Sequence, residues 1–435
     1  MNNFRKLRNM AAILMMGALV MTSCDDDDDD DNNGNNNPPA SGAPIKVVAG
    51  SITESTTFSK DTVYILEGRV IVTAGDTLTI EEGTVLKFEE GIETQASVLL
   101  IARGARIEAV GTAAEPIIMT SVLDNIQPGE IDSPNLDETD KGLWGGLIVN
   151  GFAPISADAQ EVQIEGIPAS VAEGLYGGTD PNDDSGTLRY ISIRHAGTTI
   201  GEGNDLNGLT LGGVGQGTEI SWIEIAANFD DGIEPFGGNV NVNNILVWAQ
   251  GDDAYDIDQA YSGTINNFIY IAGEDSDHGL EIDGPEGTFS GSATFTNGSL
   301  KGLNMADGPS YADFRDGALG SFENLYFFNF APNADVEIDV DEDGSENPLP
   351  QNEQSTYNNW LNSELNFVNW QFKTDHLSSG NTTIADIMDD TTPAGDAFTM
   401  RPADATVVSG GTTGATNISD FDWTLAAQRG QLDDF

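Results

Sequence analysis

The chain has 435 residues, 71 of them Asp or Glu and 17 Lys or Arg, for a formal charge of −54 at pH 7. That balance excludes nucleic acid and anionic lipid as charge-matched partners, and it favours divalent cations and cationic or neutral ligands. With 39% hydrophobic residues and 50 glycines, the composition fits neither an acidic disordered chain nor a helical bundle; it fits many short strands joined by tight turns.

Arg5, Lys6 and Arg8 precede an apolar run from Met10 to Met21, too short for a finished membrane span and suited to a signal-peptide core over residues 1–23. The run ends in Met21-Thr22-Ser23-Cys24, which resembles the lipobox of bacterial lipoproteins, with Met21 where Leu is commoner. Cys24 is the sole cysteine and has no intrachain disulfide partner. The resemblance implies a diacylglycerol on its thiol and a further chain such as palmitate on its freed amine, enough for stable anchoring at about 0.8 kcal/mol per buried CH₂. Asp25 to Asp31, then an Asn-rich stretch and Pro38-Pro39, cannot bury apolar surface, so residues 24–45 read as a solvated tether. A Cys followed directly by an Asp run also resembles the lipoprotein export signal of Bacteroidota, which implies the cell-surface side of the outer membrane. No later segment reaches 18 apolar residues, so the lipid is the expected anchor.

From Thr62 the chain alternates short apolar strands with Gly, Asn and Asp breaks: 64–72, 77–80, 85–88, 98–102, 104–111 and 116–121. In the middle, Trp222-Ile223-Glu224-Ile225-Ala226 recurs as Ile245-Leu246-Val247-Trp248-Ala249 and as Phe268-Ile269-Tyr270-Ile271-Ala272, each 23 positions on. An earlier copy begins at Tyr190 and a later one at Phe322. Self-similarity at this period, with no helix in the repeat, predicts an all-β right-handed parallel β-helix over residues 46–330, each coil burying its apolar face on the next. Residues 331–435 lose the pattern and are expected to form a C-terminal cap or irregular extension.

Several stretches resemble a family of Bacteroidota β-helix lipoproteins: Leu78-Thr79-Ile80-Glu81-Glu82-Gly83-Thr84, Trp144-Gly145-Gly146-Leu147, Tyr176-Gly177-Gly178, Asn207-Gly208-Leu209-Thr210-Leu211-Gly212-Gly213 and Asp230-Asp231-Gly232-Ile233-Glu234. The resemblance implies fold and location; most members have no assigned activity.

Carboxylates recur after each repeating strand: Asp230, Asp231 and Glu234; Asp252, Asp253, Asp256 and Asp258; Asp275, Asp277, Glu281 and Asp283. Equal offsets in a parallel β-helix stack about 4.8 Å apart. Two unit charges at that spacing repel by about 0.9 kcal/mol in water and several-fold more at a protein surface. No Lys or Arg occurs between Arg194 and Lys301 to balance them. Three readings stay open. The residues are splayed turn formers, or they hold calcium, for which the candidate ligands are Asp230, Asp231, Glu234, Asp252, Asp253, Asp256, Asp277 and Glu281, or they catalyse.

The catalytic form rests on the order of Asn228-Phe229-Asp230, Gly251-Asp252-Asp253 and His278-Gly279, which resembles that of polygalacturonases. It implies an acid at Asp252 or Asp253, a base at Asp230 and an orienting His278, in a polysaccharide hydrolase or lyase. The Arg-x-Lys motif of that family is missing, and Arg315 is the nearest candidate. A further calcium loop is suggested by Asp339-Val340-Asp341-Glu342-Asp343-Gly344, with Asp339, Asp341 and Asp343 as ligands, although Pro350 stands where a Glu would close it.

The resulting expectation is a non-catalytic surface lipoprotein, calcium-stabilised, that binds a glycan or an outer-membrane partner such as a transporter or export barrel. Trp144, Trp222, Trp248, Tyr255 and Tyr261 are candidates for its binding face or, equally, for its core.

Overall fold

The computed structural model describes residues 42–91, 95–201, 204–306, 308–341, 349–350, 353–388 and 404–435. Cys24, Asp343, the signal segment and residues 24–41 of the tether lie outside them, while Ile45, at the end of the expected tether, already opens the strand Ile45–Ile52. Gly42–Phe435 form one compact unit.

Among the described residues, twenty strands join into one sheet wound as a right-handed parallel β-helix. Each coil contributes to three faces. In the coil starting at Ile233, the strand Ile233–Phe236 lies on the first face, and Asn241–Trp248 then bends at Asn244 to supply the second and third. The bend needs a left-handed residue, and Tyr190, Trp222, Asn244, Asn267, Asn297, Asn324 and Asn369 take it with φ between 51° and 60°. Asn is the side chain that best tolerates this region, because its amide bonds locally. Here the amides also bond from coil to coil: Asn267 Nδ2 donates to Asn244 Oδ1 at 2.6 Å and Asn369 Nδ2 to Asn324 Oδ1 at 2.8 Å. Where the corner is aromatic, Tyr190 and Trp222 stack at 5.4 Å.

This corner corrects the expected repeat. Ile223, not Trp222, pairs with Ile245, and Ile245 pairs with Phe268. Trp222 is the corner residue, so the first interval is 22 positions. A one-residue slip would turn the whole strand inside out.

One apolar cluster runs the length of the coil, from Leu66 and Leu86 through Ile223, Ile245 and Phe268 to Phe322, Phe367 and Trp370. Trp144, Trp248, Tyr255 and Tyr261 are all buried. Trp222 is half-buried against Phe421 at 5.5 Å. These aromatics are packing residues and present no binding face.

The parallel ladder does not stop at residue 330. Leu365–Val368 and Trp370–Lys373 pair with Gly320–Phe328, and Ala405–Val408 pairs with Trp370–Lys373. After that strand the chain does not rejoin the ladder. It then runs back along the outside of the third face, bonding Gln371 from Thr412, Asn267 from Thr416 and Glu224 from Ala426. Phe421, Leu425 and Ala426 cover Leu246, Trp248, Ile269 and Ile271.

Candidate functional site

The first face changes character along its length. The outward row that pairs Ile71 with Leu100, Ile148 and Thr210 continues as Glu234, Asp256, Glu281, Asp313 and Glu337. Its apolar part lies under the excursion between residues 151 and 185, where Ile155, Ile164, Ile167 and Tyr176 pack on Ile71, Leu100 and Ile148. Where that cover ends, the row turns acidic. Five carboxylates then stack on five consecutive coils.

The turns preceding this row carry a second ladder. Asp231 NH donates to Asn207 Oδ1 (3.3 Å), Asp253 NH to Asp231 Oδ1 (2.9 Å) and His278 NH to Asp253 Oδ1 (2.6 Å). Each side chain satisfies the backbone of the next coil, so Asp231 and Asp253 do structural service as turn residues. His278 Nδ1 also lies 2.9 Å from Asp253 Oδ1 and 3.8 Å from Glu281. Burial opposes a charged ring, but the bond to Asp253 and the charges of Asp253, Asp277 and Asp313 outweigh it, and His278 is pushed up to about 9.

Residues of the row and of the ladder converge. Oxygens of Asp231, Glu234 and Asp256 lie within 4.8 Å of one another, and so do those of Asp230, Asp231 and Asp252. Asn207 Nδ2 donates to Glu234 Oε2. Asp256 Oδ1 is buried with no hydrogen-bond partner. Burial, then the neighbouring carboxylates, pushes Asp230 and Asp256 up to about 8 and Asp231 and Glu234 well above their ordinary range. Such a cluster is stable only protonated or with a cation, and the donor set is oxygen alone, which suits calcium. Asp252 and Asp277 are exposed at the rim.

Among the described residues, Arg315 and Lys141 reach this region. Arg315 pairs with Asp313's coil neighbours: its guanidinium contacts Glu281 and lies 2.6 Å from Asp283. Coils 281 and 313 are separated by a 32-residue repeat, which breaks the 22–23-residue period and conceals the register. Lys141, from the loop before Trp144, reaches Gln250 O at 3.3 Å and Asp275 at 3.6 Å. Arg194 and Lys301, the flanking cations in sequence, go elsewhere, to Glu224 and Asp434.

The suggested calcium loop is divided by the fold. Asp341 accepts from the backbone and hydroxyl of Ser355 at the start of the helix Ser355–Leu361. Asp339 turns instead toward Asp313 and Glu337. Asp258, Asp283, Glu286, Asp316 and Asp341 line a groove of about 280 Å³ beside the row.

The family model described as a pectate-lyase-like beta helix domain matches residues 50–424. Neither a curated protein nor a solved structure matches the chain.

Proposed function

We propose that this chain, which belongs to the pectate-lyase-like β-helix family, is a lipid-anchored surface protein that binds polysaccharide through divalent cations on the acidic half of its first face. The family is compatible with a polysaccharide-active or a binding role. The observation that carries the binding reading is the bare, buried Asp256 Oδ1 amid converging carboxylates of Asp231 and Glu234. A calcium ion there satisfies the oxygen, discharges the row, and keeps outer positions for sugar hydroxyls or a uronate carboxylate. Phe229, 46% exposed beside Asp230, supplies an apolar surface for a sugar ring.

Three features weigh against turnover. Asp230 and Asp252 approach within 4.8 Å, closer than the roughly 6.5–9.5 Å that an inverting hydrolase leaves for its water. Asp253, 4% exposed, is held by two bonds from His278. Arg315 is engaged by Glu281 and Asp283 and so is not free to serve as the base of a lyase. The raised carboxyls favour the enzymatic alternative, so the experiment measures both. The full chain in detergent micelles is expected to be retained by acidic polysaccharide in calcium and released by chelator, with Asp256→Asn weakening retention by at least about tenfold. Chelator-insensitive retention sinks the cation-dependent reading. Reducing ends or unsaturated products that vanish in Asp256→Asn replace it with catalysis.

Anchoring rests on Cys24 and the Asp run after it. Cys24→Ala is expected to move the protein from membranes to the soluble fraction. Replacing Asp25–Asp31 with Gly and Ser should keep it membrane-bound but protect it from protease added to intact cells. Continued cleavage of that variant on intact cells would remove the Asp run as an export signal.

A further inference from the structure

Beyond Arg315 the acidic row does not end. Asp313 pairs with Glu337, and Asp339 lies one residue past the strand Val336–Ile338. Oxygens of Asp313, Glu337 and Asp339 lie within 4.8 Å of one another. Asp313 is only 5% exposed, and its Oδ1 is buried without a hydrogen-bond partner. Its other oxygen is 3.9 Å from Arg315 Nη1, beyond hydrogen-bond reach. A buried carboxylate oxygen is nearly always bonded, so one left bare among two further carboxylates marks a missing positive partner.

We propose that Asp313, Glu337 and Asp339 form a second divalent-cation site, distinct from the one at Asp231, Glu234 and Asp256, and that its ion is calcium. The two sites are separated by the coil carrying Glu281 and Asp283, whose charge Arg315 and His278 already balance. Arg315 therefore occupies, as a fixed side chain, the stretch of the row between two exchangeable ions. The donors are carboxylates only, without the nitrogen or sulfur that zinc prefers. They come from two rigid coils rather than from an adjustable loop, which disfavours the near-ideal octahedron that magnesium demands. Asp339 is exposed, so waters complete the shell. An ion there ties the coil of Ala312–Arg315 to that of Val336–Ile338, near where the chain departs for the helix Ser355–Leu361.

Calorimetric titration of the chelator-stripped full chain with calcium alone tests this. The wild type is expected to take up one ion more than Asp339→Asn or Glu337→Gln, and each variant should keep the site that Asp256→Asn removes. Asp339 and Glu337 are at least partly exposed, so both variants should retain the wild-type circular dichroism. If Asp339→Asn and Glu337→Gln both keep the full wild-type stoichiometry, the second site does not exist. If Asp256→Asn alone abolishes all uptake, there is a single site and the proposal fails while the first survives. If only the Asp256→Asn variant matches wild type, the first site fails and this one stands.

Discussion

Freed of calcium, the protein is expected to melt at a higher temperature at pH 5 than at pH 8.5. Asp230 and Asp256 are pushed up to about 8 in the folded chain from an ordinary value of 3.8. Raised carboxyls favour folding fully below the unfolded value, and that contribution is lost as pH climbs through about 8. His278, raised to about 9 from 6.5, has the same sign over this range. The effect amounts to a few kcal/mol, roughly 1.4 for each tenfold change in one group's proton affinity. Calcium reverses the slope, because it binds the ionised carboxylates and competes with protons; at a hundredfold excess over Kd it adds about 2.7 kcal/mol. Thermal scans at both pH values, with calcium and with chelator, should therefore cross. Asp256→Asn should flatten both lines, which separates the cluster from the general relief of self-repulsion in so acidic a chain. Parallel lines, identical in the variant, would leave the carboxylates as solvated turn residues.

Phe295→Ala is expected to destabilise the coil by about 3–5 kcal/mol. Phe295 is fully buried, stacks on Phe322 at 5.2 Å and meets Phe268 edge-on at 5.5 Å and Tyr255 at 6.3 Å. The column leaves no slack: a Cβ on Gly298 would lie 2.1 Å from Phe268. Each coil is buried only by its neighbours, so a void between two coils weakens both contacts. Guanidinium unfolding of Phe295→Ala beside Phe289→Ala checks this, since Phe289 is 38% exposed and its loss should stay within about 0.5 kcal/mol. Equal losses in the two variants would mean the aromatic column contributes no more than surface contact.

The coil was legible in the sequence because inward residues of a solenoid repeat. Ile223, Ile245 and Phe268 occupy equivalent places in the core, and the strands from Val63 to Ser121 fall where alternation and turn residues put them. Register was less legible: a single left-handed corner residue, Trp222, looks like part of an apolar strand. Part of the acidic row was legible, from Asp230 to Asp283, where the coils differ by only a few residues, 22 from Glu234 to Asp256 and 25 from Asp256 to Glu281. Asp313 and Glu337 were not, because coils of unequal length move equivalent residues out of step; Arg315 stood out only as the nearest basic residue, without its partners Glu281 and Asp283. Lys141 enters by a loop that no periodicity describes. Nor does composition show that Ala405–Val408 still belongs to the ladder, since its partner coil is reached only after a long excursion.

The returning tail has a consequence for the order of events in making the molecule. Coils can add one after another from local contacts, but the outer surface of Leu246, Ile269 and Ile271 is covered only when Phe421 and Leu425 arrive. Arg429 then reaches Asp132, 297 residues back along the chain. Such closures are slow because they span the longest loops. Until the segment from Phe421 to Arg429 docks, the solenoid carries an apolar stripe open to other chains, and that docking is the step that seals it.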